Sequence, residues 1–263
     1  MKTLKIIAIT FVTGLVFCSS ILVGQRVDQN LKVDQDKPGE FAVLELFTSE
    51  GCSSCPAADE LLARIQKTSA NKSIYILSYH IDYWNRLGWK DPFSDPAFTK
   101  RQYEYSKHFA GQIYTPQLII NGSAEFVGSD AAAINNAINN RLATPSSTQL
   151  YIQARQQSEY IEVRYQVSGS RGSEQLILAL VKKNAQTNVK RGENKGRILS
   201  HIQIVHQFYT FDLASGGKGV QKINLPQAFN TAEWEVIGIL QNTATGVING
   251  GARAAFLPMG NAE

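Results

Sequence analysis

The hydrophobic and polar positions change period along this chain, and each change marks an element. Ala42 to Phe47 is an apolar run broken only by Glu45, the pattern of a buried central strand. After a turn at Gly51, Ala58, Leu61, Leu62 and Ile65 return at helical spacing, with Pro56 where a first helical turn tolerates a missing N–H. Ser73 to Ile81 is apolar and β-rich, so strand, helix and strand predict a parallel pair. An aromatic-rich insertion, Asp82 to Lys90, follows. Asp95-Pro96 then reads as an N-cap and first-turn proline for a helix with Phe98, Tyr105 and Phe109 on one face. Gln117 to Ile120 reads as a strand, Asn121-Gly122 as a hairpin turn and Ser123 to Gly128 as the returning strand. Asp130 caps a helix that carries Ile134, Ile138 and Leu142.

Beyond Thr144 to Thr148 (TPSST) the period becomes two. Ile161, Val163, Tyr165 and Val167 alternate with Glu162, Arg164 and Gln166. Gln175 to Lys182, Ile198 to Phe211, Glu233 to Gln241 and Val247 to Leu257 read as further strands between Gly- and Asn-rich turns. The pattern predicts an α/β domain over residues 41–145 and an all-β, sandwich-like domain over residues 146–263.

The first residues carry a different signal. Lys2 and Lys5 precede an apolar run from Ile6 to Phe17, then Cys18, Ser19 and Ser20. Residues 1–25 read as a secretory signal peptide, or as an N-terminal membrane anchor because Ile21 to Val23 prolong the run. Residues 26–40 read as a polar linker. The expected location is periplasmic or secreted. Without residues 1–25 the 263-residue chain keeps 24 basic and 22 acidic residues, a net charge of +2, too small to argue for nucleic acid. Cys52 and Cys55 are then the remaining cysteines, in a compartment that permits a disulfide.

That pair carries the candidate chemistry. At a helix N-terminus, orphan N–H groups and the helix dipole favour a thiolate over a thiol. Cys52, nearer the exposed end, would attack a substrate sulfur, and Cys55 would resolve the mixed disulfide. A staple closing so short a loop removes little unfolded-state entropy. Zinc wants four ligands and the chain offers four histidines and no second cysteine pair, so no metal site is assigned. Copper(I) needs fewer ligands, and a copper-binding or non-catalytic interaction protein is the alternative. Glu45, if buried near Cys55, could take the resolving thiol's proton; otherwise it is an acid at an exposed strand end paired with a lysine. Thr115-Pro116, just before a strand, is a place for a cis bond presenting backbone groups to an extended substrate. His80 and Asp82 end a strand near the same edge. Tyr83, Trp84, Trp89 and Phe93 read as a small core under the insertion rather than a peptide wall. His201 and His206, an odd number apart, point to opposite faces of an unbulged strand. The basic run from Lys190 to Arg197 reads as a solvated turn.

The stretches FTSEGCSSCPAAD, HIDYWNRLGWKDPFSDPAF, YTPQLIING and RGENKGR together resemble a bacterial exported family catalogued as a domain of unknown function (DUF1223), over most of residues 41–257. The first half also resembles the thioredoxin superfamily in its strand, its Cys-x-x-Cys opening a helix and its Thr-Pro before a later strand. The resemblance implies a thioredoxin-like domain with an appended β domain. It departs from thioredoxin in Ser53-Ser54 between the cysteines and in the long insertion after His80. The expected function is thiol–disulfide exchange with protein or peptide partners and an unidentified redox partner. It would need no cofactor beyond the Cys52–Cys55 couple, with Cu(I) under the alternative. Catalytic Cys52, Cys55 and Glu45 and substrate-binding Thr115 and Pro116 form the expected site.

Overall fold

The computed structural model describes residues 40–109, 111–169 and 173–257. The stretch read as a signal peptide or anchor, Cys18 within it, and nearly all of the stretch read as a linker lie outside the described residues. Strand β1 (Ala42–Thr48) is buried along its whole length. It lies between β2 (Ile74–His80), which runs parallel to it, and β3 (Gln117–Ile120), which runs antiparallel. Helix α1 (Cys55–Thr68) connects β1 to β2 and buries Ala58, Leu61, Leu62 and Ile65, the stripe its spacing predicts. Helix α2 (Pro96–Ser106) starts at Asp95, whose side chain accepts from the Ala97 N–H at 2.7 Å, as the Asp-Pro pair predicts. β3 turns at Asn121-Gly122, both at positive φ, into β4 (Ala124–Val127). Asp130 caps α3 (Ala131–Leu142).

The second half is all β among the described residues: β5 (Gln149–Gln156), β6 (Tyr160–Ser168), β7 (Glu174–Asn188), β8 (Ile198–Asp212), β9 (Lys218–Asn224), β10 (Trp234–Asn242), β11 (Ile248–Arg253) and β12 (Ala255–Phe256). These strands do not form a sandwich of their own, and the expected thioredoxin-like α/β domain followed by a separate β-sandwich is corrected here. One eight-stranded sheet, in the order β11-β10-β7-β8-β2-β1-β3-β4, runs through both halves. The described structure is mostly β, 44% strand against 19% helix. The join is β8 lying parallel to β2, with Ser78 opposite Ile204. β2 is almost fully buried on both faces, so a free edge there would leave apolar surface and backbone groups unpaired, and β8 fills it. The other four strands form a smaller sheet, β12-β5-β6-β9.

The large sheet separates three apolar clusters. Val43, Phe47, Leu77 and Tyr79 pack with Phe98 and Tyr105 of α2 and with Ile177, Ala179 and Val181 of β7. On the opposite face, Ala42, Leu44 and Leu46 meet α1 and α3. Beside them, on that same face, Leu176, Leu178 and Leu180 of β7 meet the smaller sheet. This division by alternate residues decides which side chains of β1 face the helix that carries the cysteines.

Candidate functional site

Cys52 and Cys55 form a disulfide, with Cα atoms 5.4 Å apart. Cys55 is the first residue of α1, Ser54 is its N-cap without a side-chain cap bond, and Pro56 follows. The helix therefore begins with backbone donors not taken by a cap, directed at the sulfurs' end of the helix. The Ser54 hydroxyl donates to the Cys52 sulfur at 3.3 Å. Both cysteines are covered: Cys52 is 1% exposed and Cys55 0%.

Behind the disulfide lies a cluster of buried ionisable groups. Glu50, two residues before Cys52, accepts from the Trp89 indole at 2.7 Å and lies 3.1 Å from His201 Nε2 of β8. Asp59, one helical turn after Cys55 and so on the same side of α1, stands 3.5 Å from His201 Nδ1. That is an ion-pair contact longer than a good hydrogen bond. Burial, the largest single influence on His201, opposes its charge; Asp59 and Glu50 outweigh it and raise the imidazole to about 9. His201 is therefore an imidazolium at neutral pH, held between acids that flank the two cysteines. A second buried pair sits against it: His80 Nδ1 and Asp91 Oδ2 are 2.8 Å apart, and the His80 and His201 rings meet edge-on with centroids 4.8 Å apart. Asp91 also accepts the Glu50 and Phe93 N–H groups. Burial works against the Asp91 carboxylate, and the His80 imidazole with those two N–H groups hold it below the usual range.

Two loops close over the cysteines. Trp84, from the insertion, approaches so near that a Cβ on Gly51 would stand 3.0 Å from its own Cβ, and its indole donates to Thr115 Oγ1 at 2.8 Å. The loop between β7 and β8 is hydrogen-bonded to the Cys-Ser-Ser-Cys turn, whose Ser53 and Ser54 stay exposed. Asn194, 1% exposed, donates to the carbonyls of Glu50 and Cys52, both at 2.9 Å, and Glu193 accepts the Ser53 N–H at 2.9 Å.

The family model described as a protein of unknown function (DUF1223) matches residues 43–241. The chain belongs to the DUF1223 family. The matched stretch of this DUF1223 protein includes β1 from Val43 onward, the cysteines, the insertion, the β7–β8 loop and His201. A search of curated proteins finds no match. Among solved structures, an X-ray structure of an Agrobacterium tumefaciens protein is 27% identical with a TM-score of 0.62, covering 84% of this chain and 95% of that one. A domain of the outer membrane lipoprotein Omp28 from Porphyromonas gingivalis is 10% identical with a TM-score of 0.25, covering 43% of this chain and 91% of that one.

Of the residues expected to form the site, Cys52 and Cys55 are bonded to each other, and Thr115 is tied through Trp84 to the turn that precedes them. The Thr115-Pro116 bond is cis. Gly128 lies between Pro116 and α1, since a Cβ there would stand 3.0 Å from both Pro116 and Ala58. Glu45 is not gathered with them. Alternation along β1 puts it on the α2 face with Val43 and Phe47, away from α1, where Arg101 holds it at 2.6 Å and the Tyr105 hydroxyl donates to it. It is neither beside Cys55 nor paired with a surface lysine. His201 is buried while His206 is exposed and meets Trp234 edge-on, and a register shift opposite Leu180 and Val181 leaves His206 as the unpaired residue of a bulge. The basic loop is not simply a solvated turn, because Asn194 is buried at its tip. Glu50, Asp59, His201 and Asn194 were not legible as a site. Asp59 gave one signal: it falls in the same stripe as Cys55, Ala58 and Leu62, an acid on a helix face otherwise made to be buried.

Proposed function

We propose that this DUF1223 protein carries out thiol–disulfide exchange outside the cytoplasm, using Cys52 and Cys55 on protein or peptide partners. The observation that carries this reading is the ionisable cluster that flanks both cysteines along the chain: Glu50 before Cys52, Asp59 one turn after Cys55, and His201 between the two acids. A disulfide across so short a loop contributes little as a staple, and buried charge costs stability unless it is paired or used. Exchange does use it, because each turnover must deliver and remove a proton at a shielded sulfur.

A partner thiolate attacks the Cys52 sulfur, forming a mixed disulfide and expelling Cys55 as a thiolate. The helix terminus stabilises that anion, and the proton it then takes comes from the imidazolium of His201 through Asp59. A second partner thiol, having lost its proton, attacks the partner sulfur of the mixed disulfide, and Cys52 leaves as a thiolate. The partner dithiol is oxidised by two electrons and the protein's disulfide is reduced by the same two; the reverse sequence oxidises the protein. Thr115 and Pro116, joined to the cysteine loop through Trp84, sit where the partner's backbone would lie.

The test is a Cys55→Ala variant mixed with a protein disulfide. Attack by Cys52 without a resolving thiol predicts a stable mixed disulfide at Cys52, seen as a mass increase that a reductant reverses. No adduct with any protein disulfide, together with a stoichiometric Cu(I) complex of the reduced wild type, would overturn the reading.

A further inference from the structure

Exchange requires a sulfur to approach Cys52 along the line of the disulfide, yet Cys52 is 1% exposed. Something must move, and the elements around the pair differ in how firmly they are held. α1 is bound by its apolar stripe. The insertion is bound by the hydrogen bond from Trp84 to Thr115 and by the contacts of Asp91 with His80 and the Glu50 N–H. The β7–β8 loop is bound differently. From Lys190 to Arg197 every residue except Asn194 is exposed, so beyond the buried Val189 at the loop's root little apolar burial holds it down. Its polar grip on the site is three hydrogen bonds, two from Asn194 to carbonyls and one from the Ser53 N–H to Glu193, and Gly192 rests against Trp89, where a Cβ would stand 3.4 Å from the Trp89 Cβ. The loop is internally closed, with Gly196 N–H bonded to the Val189 carbonyl and Arg197 bonded to Asn194 Oδ1. It can therefore lift as a unit, with Gly192 and Gly196 at positive φ on either side of the contacting residues.

We propose that the β7–β8 loop is a displaceable strap, and that Asn194 and Glu193 determine which thiol partners reach Cys52. This rests on the exchange reading above. A small thiol reaches the sulfur in brief local openings. A protein partner needs the strap held aside, so exchange with proteins is limited by the latch, and a segment that displaces Asn194 from the two carbonyls gains access that others lack.

The experiment compares the full chain with Asn194→Ala and Glu193→Ala, measuring reduction of the disulfide by dithiothreitol and by reduced thioredoxin. Separately, alkylation of Cys52 by iodoacetamide is timed after chemical reduction. Loss of the two Asn194 hydrogen bonds predicts about tenfold to thirtyfold faster reduction by the protein dithiol, with a smaller gain for dithiothreitol. Glu193→Ala, a change at a fully exposed side chain that leaves folding intact, predicts a smaller gain in the same direction. Equal rates for wild type and both variants, with every reagent, overturn the strap while leaving exchange standing. Faster alkylation in the variants, with no exchange with any protein thiol or disulfide in any of the three proteins, supports the strap and overturns the exchange reading.

Discussion

At the scale of single residues, His201 is the group whose charge the fold has changed most usefully. Its folded value of about 9 stands above the usual 6.5 because Asp59 and Glu50 outweigh the cost of burial. A raised value means that protonation favours the folded state. The contribution is complete below about pH 6.5 and is lost as pH rises through about 9, and is worth about 3 kcal/mol at most. Urea unfolding of the wild type is therefore expected to show stability falling between pH 6.5 and 9, and His201→Gln is expected to flatten that slope. A slope unchanged by the substitution would remove His201 from the account. Glu193 works in the opposite direction. Its carboxyl is held below the usual range by the Ser53 hydroxyl and N–H, so the contact is present above the ordinary carboxylate value and fails as pH falls through the lower one.

At the scale of elements, Glu45 acts as a tie. Glu45 ties β1 to α2 and β10 through one buried guanidinium: Arg101 bonds Glu45, Gln241 and the Tyr105 hydroxyl. Burial works against the Arg101 charge, and Glu45 with Tyr105 and Tyr79 outweighs it and raises the group above its ordinary value. Arg101→Met would leave a buried carboxylate without its partner, and a loss of about 3–5 kcal/mol in urea unfolding is expected. If exchange kinetics with a protein disulfide changed as much as stability did, Glu45 would have to be returned to the catalytic group. The helices and local turns were legible because their signals are local. Asp95 and Asp130 cap the helices they announce, Asn121-Gly122 makes the turn it announces, and the stripe of α1 is the buried one. The face on which Glu45 points was legible only as a choice between two. It needed the knowledge that α1 and α2 cover opposite sides of β1.

For the whole molecule, the sequence showed strands in the second half but not where they pair. Ile198 to Asp212 reads as a strand from its composition, yet its place against β2 depends on an edge that the first half leaves open. The same pairing carries His201 and Asn194 to a helix more than a hundred residues earlier, so the proton cluster and the strap exist only when both halves are joined. No periodicity encodes such a meeting. The candidate site is consequently half local, in the cysteines and Thr115-Pro116, and half assembled by the sheet.

The most direct measurement is equilibration of the folded full chain with glutathione redox buffers, trapping free thiols by alkylation and counting them by mass. The account predicts a reversible two-electron transition at Cys52–Cys55, reached from either direction, without unfolding. A pair that stayed oxidised below about −300 mV, opening only when the protein was denatured, would behave as a structural bridge and contradict it.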